Sequence, residues 1–195
     1  MITKKTLRQE LLAQRIGLSD SVYKRLNQHV IRRLLDLAAV RSANTIHCFW
    51  PIKHKREIDT APLINKLHQA GKRIILPVVI DFDDSLSAGS RMEHRIYDGE
   101  TNMITNRWGV KEPAKKQPFP VSQLDLVIVP ALGVTKQGSR LGYGKGFYDE
   151  FLAQCDCPFV CPIFSNGLLD TLPVMSHDIP VDIIVTEDEV IHTNT

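Results

Sequence analysis

Apolar residues in the first third of the chain recur every three or four positions, which is the period of an amphipathic α-helix. Residues 3–16 form the first predicted helix, and Thr3 is placed to cap its N-terminus. A second helix is predicted from a cap at Ser19 to about Ala39. The apolar stripes of the two helices consist of Leu7, Leu11, Leu12 and Ile16, and of Val22, Leu26, Val30, Leu34 and Leu37.

Further along, apolar residues form short continuous runs, which are typical of strands buried on both faces. The predicted core strands occupy residues 46–50, 74–80, 124–129, 159–164 and 182–186. Helices are predicted at about 58–70, ending at Gly71, and at about 145–154. Between residues 81 and 123 we expect one short strand at about 92–97 and loops elsewhere, because three prolines prevent a long helix.

Strands and helices alternate along the chain, and this order favours an α/β fold with a mostly parallel central sheet. We predict a three-layer α/β/α architecture, Rossmann-like, with two N-terminal helices. A length of 195 residues and a hydrophobic fraction of 43% fit a single domain over residues 1–195.

Composition narrows the classes of function. No apolar run approaches the roughly 20 residues of a membrane helix, and the N-terminus lacks the apolar stretch of a secretory signal. The four cysteines do not follow the spacing of a zinc finger and are few for a disulfide scaffold. We therefore expect a cytoplasmic protein with reduced thiols and without a membrane partner. We also expect a monomer, although composition does not determine the oligomeric state.

Charge is distributed unevenly along the chain. Residues 1–56 carry 12 Lys/Arg and 3 Asp/Glu, a balance of +9, while the whole chain has a net charge of +2. A basic N-terminal third is typical of proteins with an anionic partner, either a nucleic acid or a phosphorylated or polycarboxylate small molecule. For most of these side chains, a solvated helix face remains the simpler interpretation.

Five of the eleven glycines (Gly133, Gly138, Gly142, Gly144 and Gly146) lie within fourteen residues after the predicted 124–129 strand. Glycine costs chain entropy, so this crowding is expected where the backbone must come close to another group. The segment also follows a predicted central strand and opens a helix, where unpaired N–H groups and the helix dipole favour anions. These features predict an anion-binding loop.

The charged residues of this segment favour a nucleotide phosphate as the anion. Arg140 is suited to grip phosphate oxygens, Lys145 to place a charge beside a transferring phosphoryl group, and Asp149 to bind Mg²⁺. The segment is not a Walker A loop, because Gly146 follows Lys145, and it does not match the G-x-G-x-x-G dinucleotide spacing. A flexible turn with a helix-capping aspartate remains an alternative.

The run Arg140-Leu-Gly-Tyr-Gly-Lys-Gly-Phe-Tyr-Asp149, together with the residues that lead to it from Val129, resembles the signature of the 5-formyltetrahydrofolate cyclo-ligase family. Four other segments resemble motifs of that family: Lys4-Lys-Thr-Leu-Arg8, Arg56-Glu-Ile-Asp-Thr60, Trp108-Gly-Val-Lys-Glu-Pro113 and His177-Asp-Ile-Pro-Val-Asp182. The chain departs from the family at Val134-Thr135, where an aspartate is usual in the second position. The missing carboxylate would alter metal handling but not the principal site.

The resemblance implies an enzyme that converts ATP and 5-formyltetrahydrofolate to ADP, phosphate and 5,10-methenyltetrahydrofolate with Mg²⁺, and Lys145 and Arg140 as catalytic residues. It implies ATP contacts from Lys4, Arg8, Arg140, Gly142, Gly144, Lys145, Gly146, Phe147 and Tyr148. Folate contacts are implied for Glu57, which would accept hydrogen bonds from the pterin, and for Trp108, Tyr143 and Phe147, with Pro51 in the pocket wall. The implied magnesium ligands are Asp149 and Asp178.

Three other functions remain open at this stage. The first is a catalytically silent relative that binds folate or nucleotide, although Lys145, Asp149, Glu57 and Asp178 together argue against it. The second is a nucleic-acid-binding protein, but the sequence has no recognition motif, and we expect no nucleic-acid partner. The third is a sugar-phosphate or coenzyme A enzyme of similar architecture.

Overall fold

The computed structural model describes residues 3–81, 91–99, 102–106, 110–114 and 117–193. The helices are α1 (Lys4–Ile16), α2 (Asp20–Asp36), α3 (Ala38–Ser42), α4 (Ala61–Gln69) and α5 (Phe147–Leu152). The strands are β1 (Thr45–His47), β2 (Arg73–Asp81), β3 (Arg91–Ile96), β4 (Met103–Thr105), β5 (Lys111–Pro113), β6 (Leu126–Ile128), β7 (Gly133–Thr135), β8 (Arg140–Leu141), β9 (Phe159–Pro162), β10 (Leu168–Leu169), β11 (Ile183–Val185) and β12 (Val190–His192).

The main sheet has seven strands in the order β12-β11-β9-β6-β1-β2-β3. The five inner strands are parallel, and the edge strands β12 and β3 are antiparallel to their neighbours. At the centre, Ile46 of β1 lies opposite Ile74 of β2 and Leu126 of β6. The predicted α/β class with a mostly parallel sheet is confirmed.

Successive residues of the inner strands point to opposite faces of the sheet, and each face has its own apolar cluster. On one face, Ile46 and Val160 belong to a cluster that includes side chains of α2, α3 and α4. On the other face, Val127 and Cys161 share a cluster with Phe151 of α5. The predicted three-layer arrangement is therefore also confirmed. No helix among the described residues has the length and apolar character needed to cross a membrane.

The two N-terminal helices are present, but the second ends earlier than predicted. Helix α2 ends at Asp36 rather than near Ala39, because Leu37 adopts an extended conformation. The bend lets α3 begin at the next residue and carries Val40, which is fully buried, into the cluster beneath α2. Burial of a side chain of this size contributes about 1.5–3 kcal/mol, which accounts for the break in a favourable helical pattern.

Helix α4 begins at Ala61 rather than near residue 58. Two hydrogen bonds hold the preceding residues outside the helix: Asp59 N donates to Asn27 Oδ1 at 2.7 Å, and Thr60 Oγ1 donates to Phe49 O at 2.5 Å. Both contacts are made to residues that are distant in sequence, so the pattern of apolar positions around residue 58 could not predict them.

The region between residues 81 and 123 is more regular than predicted. The expected strand near 92–97 is confirmed as β3, but the expectation of loops elsewhere is wrong for β4 and β5, which pair antiparallel. The small sheet of β10, β7 and β8 was also not predicted. Strands of two or three residues are too short to produce a periodic pattern.

The predicted core strands are placed correctly but differ at their ends. β1 is shorter than the predicted 46–50, and β2 is longer than the predicted 74–80. The expectation that the second run is buried on both faces is wrong at its end, where Ile80 is 37% exposed. β1 pairs only with the first part of β2, so the far end of that strand extends beyond the centre of the sheet.

Two histidines occupy the apolar core between β1, β3 and α5. His47 Nε2 and His94 Nδ1 lie 3.1 Å apart, and both rings pack on Phe151. Burial lowers the pKa of His94 to about 4. Burial, together with the neighbouring His94, holds the pKa of His47 well below its ordinary value. The pair is therefore neutral in the folded protein at neutral pH.

We predict that His94→Asn reduces the acid sensitivity of the fold. In the unfolded chain histidines bind protons near pH 6.5, whereas the folded protein resists protonation of this pair. Above that pH the pair therefore costs no stability, and below it the free energy of unfolding decreases as the pH falls. The lowered pKa of His94 alone should decrease the free energy of unfolding by roughly 3 kcal/mol between neutral pH and pH 4. Urea unfolding at pH 7 and pH 4.5 should show a smaller loss in free energy of unfolding for the variant. His29→Asn, at an exposed histidine of α2, is the control and should retain the wild-type loss. Equal losses in His94→Asn and wild type would contradict the prediction.

Candidate active site

Helix α1 presents basic side chains on one face. Lys4, Arg8 and Arg15 are separated by four and seven residues, or about one and two helical turns, which places them on the same helix face. Leu11 lies on that face between them and is buried in a small cluster with Leu141 of β8. Each basic side chain contacts a different part of the chain. The face therefore connects segments that are distant in sequence.

Arg8 holds the glycine-rich loop. Its Nε donates to Gly142 O at 2.9 Å. Gly144 has a φ of +88°, and a Cβ built there would lie 2.7 Å from Arg8 Cζ. Glycine is therefore required at this position both for its backbone conformation and for the close approach of the guanidinium. Gly146 also has a positive φ, +76°, but faces open space.

Two of the five crowded glycines, neither of them a predicted ligand contact, lie close to other parts of the protein itself. A Cβ at Gly133 would lie 2.8 Å from Cδ1 of both Leu11 and Leu169. Gly138 has a φ of +88°, and a Cβ there would lie 2.4 Å from Val181 O. These two glycines allow close packing within the protein, whereas Gly142, Gly144 and Gly146 lie in the predicted anion loop.

Arg15 is 9% exposed and uses its whole guanidinium group for hydrogen bonds. Nε donates to Lys55 O at 2.9 Å and Nη1 donates to Ala131 O at 3.2 Å. Nη2 donates to the hydroxyl oxygen of Tyr143 at 2.5 Å. One buried side chain thus joins α1, the turn before Glu57, the segment after β6 and the glycine-rich loop.

Glu57 is 4% exposed and lies at the end of this chain of contacts. Its Oε1 accepts a hydrogen bond from the Tyr143 hydroxyl at 2.6 Å, and its Oε2 accepts one from Ile52 N at 2.6 Å. Burial raises the pKa of Glu57, while these two hydrogen bonds and the charges of Arg15 and Lys55 act in the opposite direction. The carboxylate is thus buried and oriented, and its remaining lone pairs are available to a ligand donor.

The two predicted metal ligands lie close together in the fold, and each is paired with a cation. Arg140 Nη2 donates to Asp149 Oδ1 at 2.6 Å, and Lys4 Nζ donates to Asp178 Oδ2 at 2.5 Å. The amide of Ile179, the residue after Asp178, lies 3.4 Å from Asp149 Oδ1. Partial burial of Asp178 raises its pKa, but the hydrogen bonds from Lys4 and Met175 N outweigh this and hold its pKa below the ordinary value.

These carboxylates fit the chemistry of a hard divalent cation. Within the part of the chain that the structure describes, hydrogen bonds reach only Oδ1 of Asp149 and Oδ2 of Asp178. The second oxygen of each carboxylate is thus left for a metal that prefers oxygen ligands and keeps several waters, as Mg²⁺ does. Among the described residues, no group of three or more His, Cys, Asp or Glu side chains is arranged so that it could hold a metal ion by itself. Two carboxylates together with phosphate oxygens of a ligand would be sufficient for Mg²⁺.

Arg140 is in a different environment from the one that its predicted role suggests. Its side chain is 4% exposed and contacts Asp149, so it does not present a guanidinium group to solvent. Its Nε and the hydroxyl of Tyr148 are buried, and neither has a hydrogen-bond partner among the described residues. Two buried polar groups without partners mark this position as one where a polar ligand would be stabilised.

Three of the remaining predicted site residues adjoin the residues described above. Lys145 is exposed at the end of the glycine-rich loop, and Phe147 is half-buried at the start of α5. Pro51 is buried and precedes Ile52, whose amide holds Glu57. Trp108 lies outside the described residues. Thr135, which replaces the usual aspartate, is buried at the end of β7, and its hydroxyl has no partner among the residues that the structure describes.

The sequence matches the 5-formyltetrahydrofolate cyclo-ligase family over residues 1–187. The chain belongs to this family. The 5-formyltetrahydrofolate cyclo-ligase of Escherichia coli K12 is 32% identical to it over 182 residues, covering 91% of this chain and 96% of that protein. The Haemophilus influenzae 5-formyltetrahydrofolate cyclo-ligase is 28% identical over 188 residues, covering 93% of this chain and 97% of that one.

Two solved structures share the fold of this cyclo-ligase family member. The Aquifex aeolicus 5,10-methenyltetrahydrofolate synthetase has a TM-score of 0.84 and 28% identity, with 100% of this chain and 94% of that chain covered. The Mycoplasma pneumoniae 5,10-methenyltetrahydrofolate synthetase has a TM-score of 0.74 and 24% identity, with 95% and 99% covered. At 24% identity, the similarity to the Mycoplasma pneumoniae structure shows only that the two proteins share a fold.

The structure brings the predicted cyclo-ligase residues of α1, the glycine-rich loop, Glu57 and Asp178 to one side of the molecule through direct hydrogen bonds. Sequence reasoning missed Arg15, which links three of these segments. A signal was present, because Arg15 continues the helical stripe of Lys4 and Arg8 by two further turns.

We predict that Gly144→Ala and Gly71→Ala have similar effects on stability and different effects on anion binding. Both glycines have positive φ values, +88° and +82°, so alanine should lower the free energy of unfolding by about 1 kcal/mol in each case. Nothing lies within 4 Å of a Cβ at Gly71, whereas a Cβ at Gly144 displaces Arg8. ATP affinity, measured by calorimetry, should fall about tenfold in Gly144→Ala alone, because a charge-assisted contact is lost. Equal affinities in both variants would show that Arg8 takes no part in binding the anion.

Proposed function

We propose that the chain is an ATP- and Mg²⁺-dependent 5-formyltetrahydrofolate cyclo-ligase, which forms 5,10-methenyltetrahydrofolate and releases ADP and phosphate. The observation that carries the proposal is the direct hydrogen bond, 2.6 Å long, between Tyr143 of the glycine-rich anion loop and the buried carboxylate of Glu57. It joins a site suited to phosphates with a site suited to N–H donors. An enzyme that phosphorylates a folate requires these two sites side by side.

The proposed chemistry activates an amide-like carbon. The formyl carbon on N5 is a poor electrophile, and its oxygen is a poor leaving group. Transfer of the γ-phosphoryl group of ATP to the formyl oxygen breaks the bond to ADP and gives an iminium-like phosphate. N10 of the same substrate then attacks the activated carbon and closes the ring, and loss of phosphate yields the methenyl product. The protein mainly positions the reactants and neutralises charge.

For the nucleotide, we assign phosphate contacts to Lys4 and Arg8 on α1 and to the backbone of the loop that Arg8 holds. Lys145, exposed at the end of that loop, would act nearest the transferring phosphoryl group. Phe147 and Tyr148 begin the helix beside it. Arg140 would contribute from its buried position if a metal bound Asp149 and a phosphate replaced that carboxylate as the partner of the guanidinium group.

For the metal, we assign Mg²⁺ to Asp149 and Asp178. When bound, it would neutralise phosphate charge as it does in phosphoryl transfer generally. In the absence of ligand, Lys4 and Arg140 keep these carboxylates paired. An incoming triphosphate would offer both cations new partners and free both carboxylates for the metal.

For the folate, we assign the acceptor role to Glu57. A carboxylate is suited to accept hydrogen bonds from the amino group and ring N–H of the pterin. The Tyr143 hydroxyl and Ile52 amide orient it, and Arg15 provides a buried positive charge nearby. Pro51 would form part of the wall, and Trp108 would stack on a ring of the substrate.

The proposal includes a cytoplasmic, monomeric enzyme whose substrate carries one or more glutamates. All four cysteines are free thiols, and Cys48 and Cys161 are buried, in keeping with a reducing compartment. The basic excess of residues 1–56 suits a substrate with several carboxylates as well as a nucleotide.

We predict that the purified protein, given ATP, Mg²⁺ and 5-formyltetrahydrofolate, produces the ultraviolet absorbance of the methenyl product. Lys145→Ala should abolish turnover with little change in melting temperature, because the side chain is exposed. The control is Lys136→Ala, since Lys136 is exposed in the β7–β8 turn, 3.8 Å from Glu189, and should be dispensable.

Three outcomes would contradict this prediction. No product from folded wild type with bound folate would indicate the silent relative. Equal turnover without ATP would exclude the phosphoryl-transfer step. A large loss of stability in Lys145→Ala would show that the segment has a structural role.

A further inference from the structure

Tyr143 connects the glycine-rich loop directly to Glu57. It stands between Gly142, whose carbonyl accepts from Arg8, and Gly144, which packs against the same guanidinium. Its hydroxyl donates to Glu57 Oε1 at 2.6 Å. Any shift of the loop therefore changes the position of this hydroxyl relative to the carboxylate.

Arg15 determines the direction of the Tyr143 hydrogen bond. Its guanidinium is fixed by the carbonyls of Lys55 and Ala131 and donates to the tyrosine oxygen. The hydroxyl proton is then left to point at Glu57. The ammonium of Lys55 lies 4.5 Å from the centre of the tyrosine ring, which adds a cation–π contact. Tyr143 is thus held at both its ring and its hydroxyl.

The neighbours of this tyrosine belong to both proposed ligand sites. Arg8, on the nucleotide side, positions the backbone on either side of Tyr143. Glu57, on the folate side, accepts the hydrogen bond from its hydroxyl. Burial, followed by the charge of Glu57, raises the pKa of Tyr143, so the hydroxyl keeps its proton and remains a donor at neutral pH.

We propose that Tyr143 is a positioning residue that couples the binding of ATP to the binding of the folate. The inference rests on the proposed function. ATP that engages Arg8 and the loop fixes Tyr143 in the position from which it orients Glu57, so the folate meets a carboxylate that is already in place. By thermodynamic linkage, the folate raises the affinity for ATP by the same factor.

The chain offers a matched control for this tyrosine. The hydroxyl of Tyr23, on α2, also donates a hydrogen bond to Glu57. Its acceptor is the backbone carbonyl oxygen, at 2.5 Å, and not the carboxylate. Tyr23 lies outside the glycine-rich loop. Replacement of either residue by phenylalanine removes one hydroxyl beside Glu57, and only Tyr143→Phe breaks the connection to the loop.

The test is the affinity for 5-formyltetrahydrofolate, measured by calorimetry with and without a saturating non-hydrolysable ATP analogue and Mg²⁺. In the wild type, we expect the analogue to tighten folate binding by about fivefold or more, the usual lower range for linked sites. In Tyr143→Phe the ratio should fall to near one, and in Tyr23→Phe it should stay at the wild-type value. The reverse titration, of the analogue with and without folate, should give the same factors.

A second variant addresses the partner of the tyrosine. Arg15→Lys keeps the positive charge but loses the fork that joins the Tyr143 hydroxyl to two carbonyls. The coupling factor should fall in this variant as well. Thermal unfolding of each variant confirms that the ratio is measured on folded protein.

The possible results separate the coupling from the function on which it rests. A wild type that turns over substrate but has a ratio of one, or a Tyr143→Phe variant with the wild-type ratio, would overturn the coupling and leave the cyclo-ligase activity standing. An unchanged ratio in Arg15→Lys would also overturn it. A folded wild type that neither binds the folate nor forms product would overturn the proposed function, and the coupling with it.

Discussion

The parallel pairing of β1, β6 and β9 is the constraint on which the candidate site depends. Parallel strands end at the same edge of a sheet, so the segments that follow them are brought together whatever their distance in sequence. After β1 the chain leads to Glu57, and after β6 it leads through Ala131 to the small sheet that carries the glycine-rich loop. One face of helix α1 packs against these segments. Arg15 on that face donates hydrogen bonds to Lys55, Ala131 and Tyr143, one residue in each segment.

Each buried or half-buried charge of the site has an opposite charge or a set of dipoles beside it. Asp149 is paired with Arg140, Asp178 is paired with Lys4, and Glu57 is linked to a nearby arginine through a tyrosine. These contacts offset the desolvation that burial imposes on each charge. They also mean that a phosphate ligand must replace a carboxylate as the partner of a cation. A divalent cation that accepted the released carboxylates would keep this exchange balanced in charge, so the proposed magnesium and phosphate contacts depend on each other.

The fold could be predicted, and residues for the candidate site could be proposed, because their signals are local or belong to a family pattern. The period of Leu7 and Leu11 and the continuous apolar runs were sufficient for α1 and the sheet, and the crowding of glycines indicated the loop. The bend at Leu37 and the short strands of the small sheet could not be predicted, because they depend on packing between distant segments. Arg15 was missed for the same reason. In the sequence it resembles any exposed helix cation, and only the carbonyls that the fold brings to it, from Lys55 and Ala131, make it a buried structural group.

The contacts of α1 also bear on the order in which the protein is made. Lys4 bonds a residue 174 positions later, Arg8 one 134 positions later, and Arg15 a tyrosine 128 positions later. Synthesis proceeds from the N-terminus, and domains assemble as their segments emerge. Helix α1 therefore emerges before the other helices and strands of this fold, and its basic side chains lack these distant partners until most of those elements have been synthesised. A nascent chain that ends before Asp178 contains β1, β2, β3, β6 and β9 of the main sheet, but its first helix lacks the partner of Lys4. The candidate site therefore cannot be complete until Asp178 has emerged, well after most of the sheet has been synthesised.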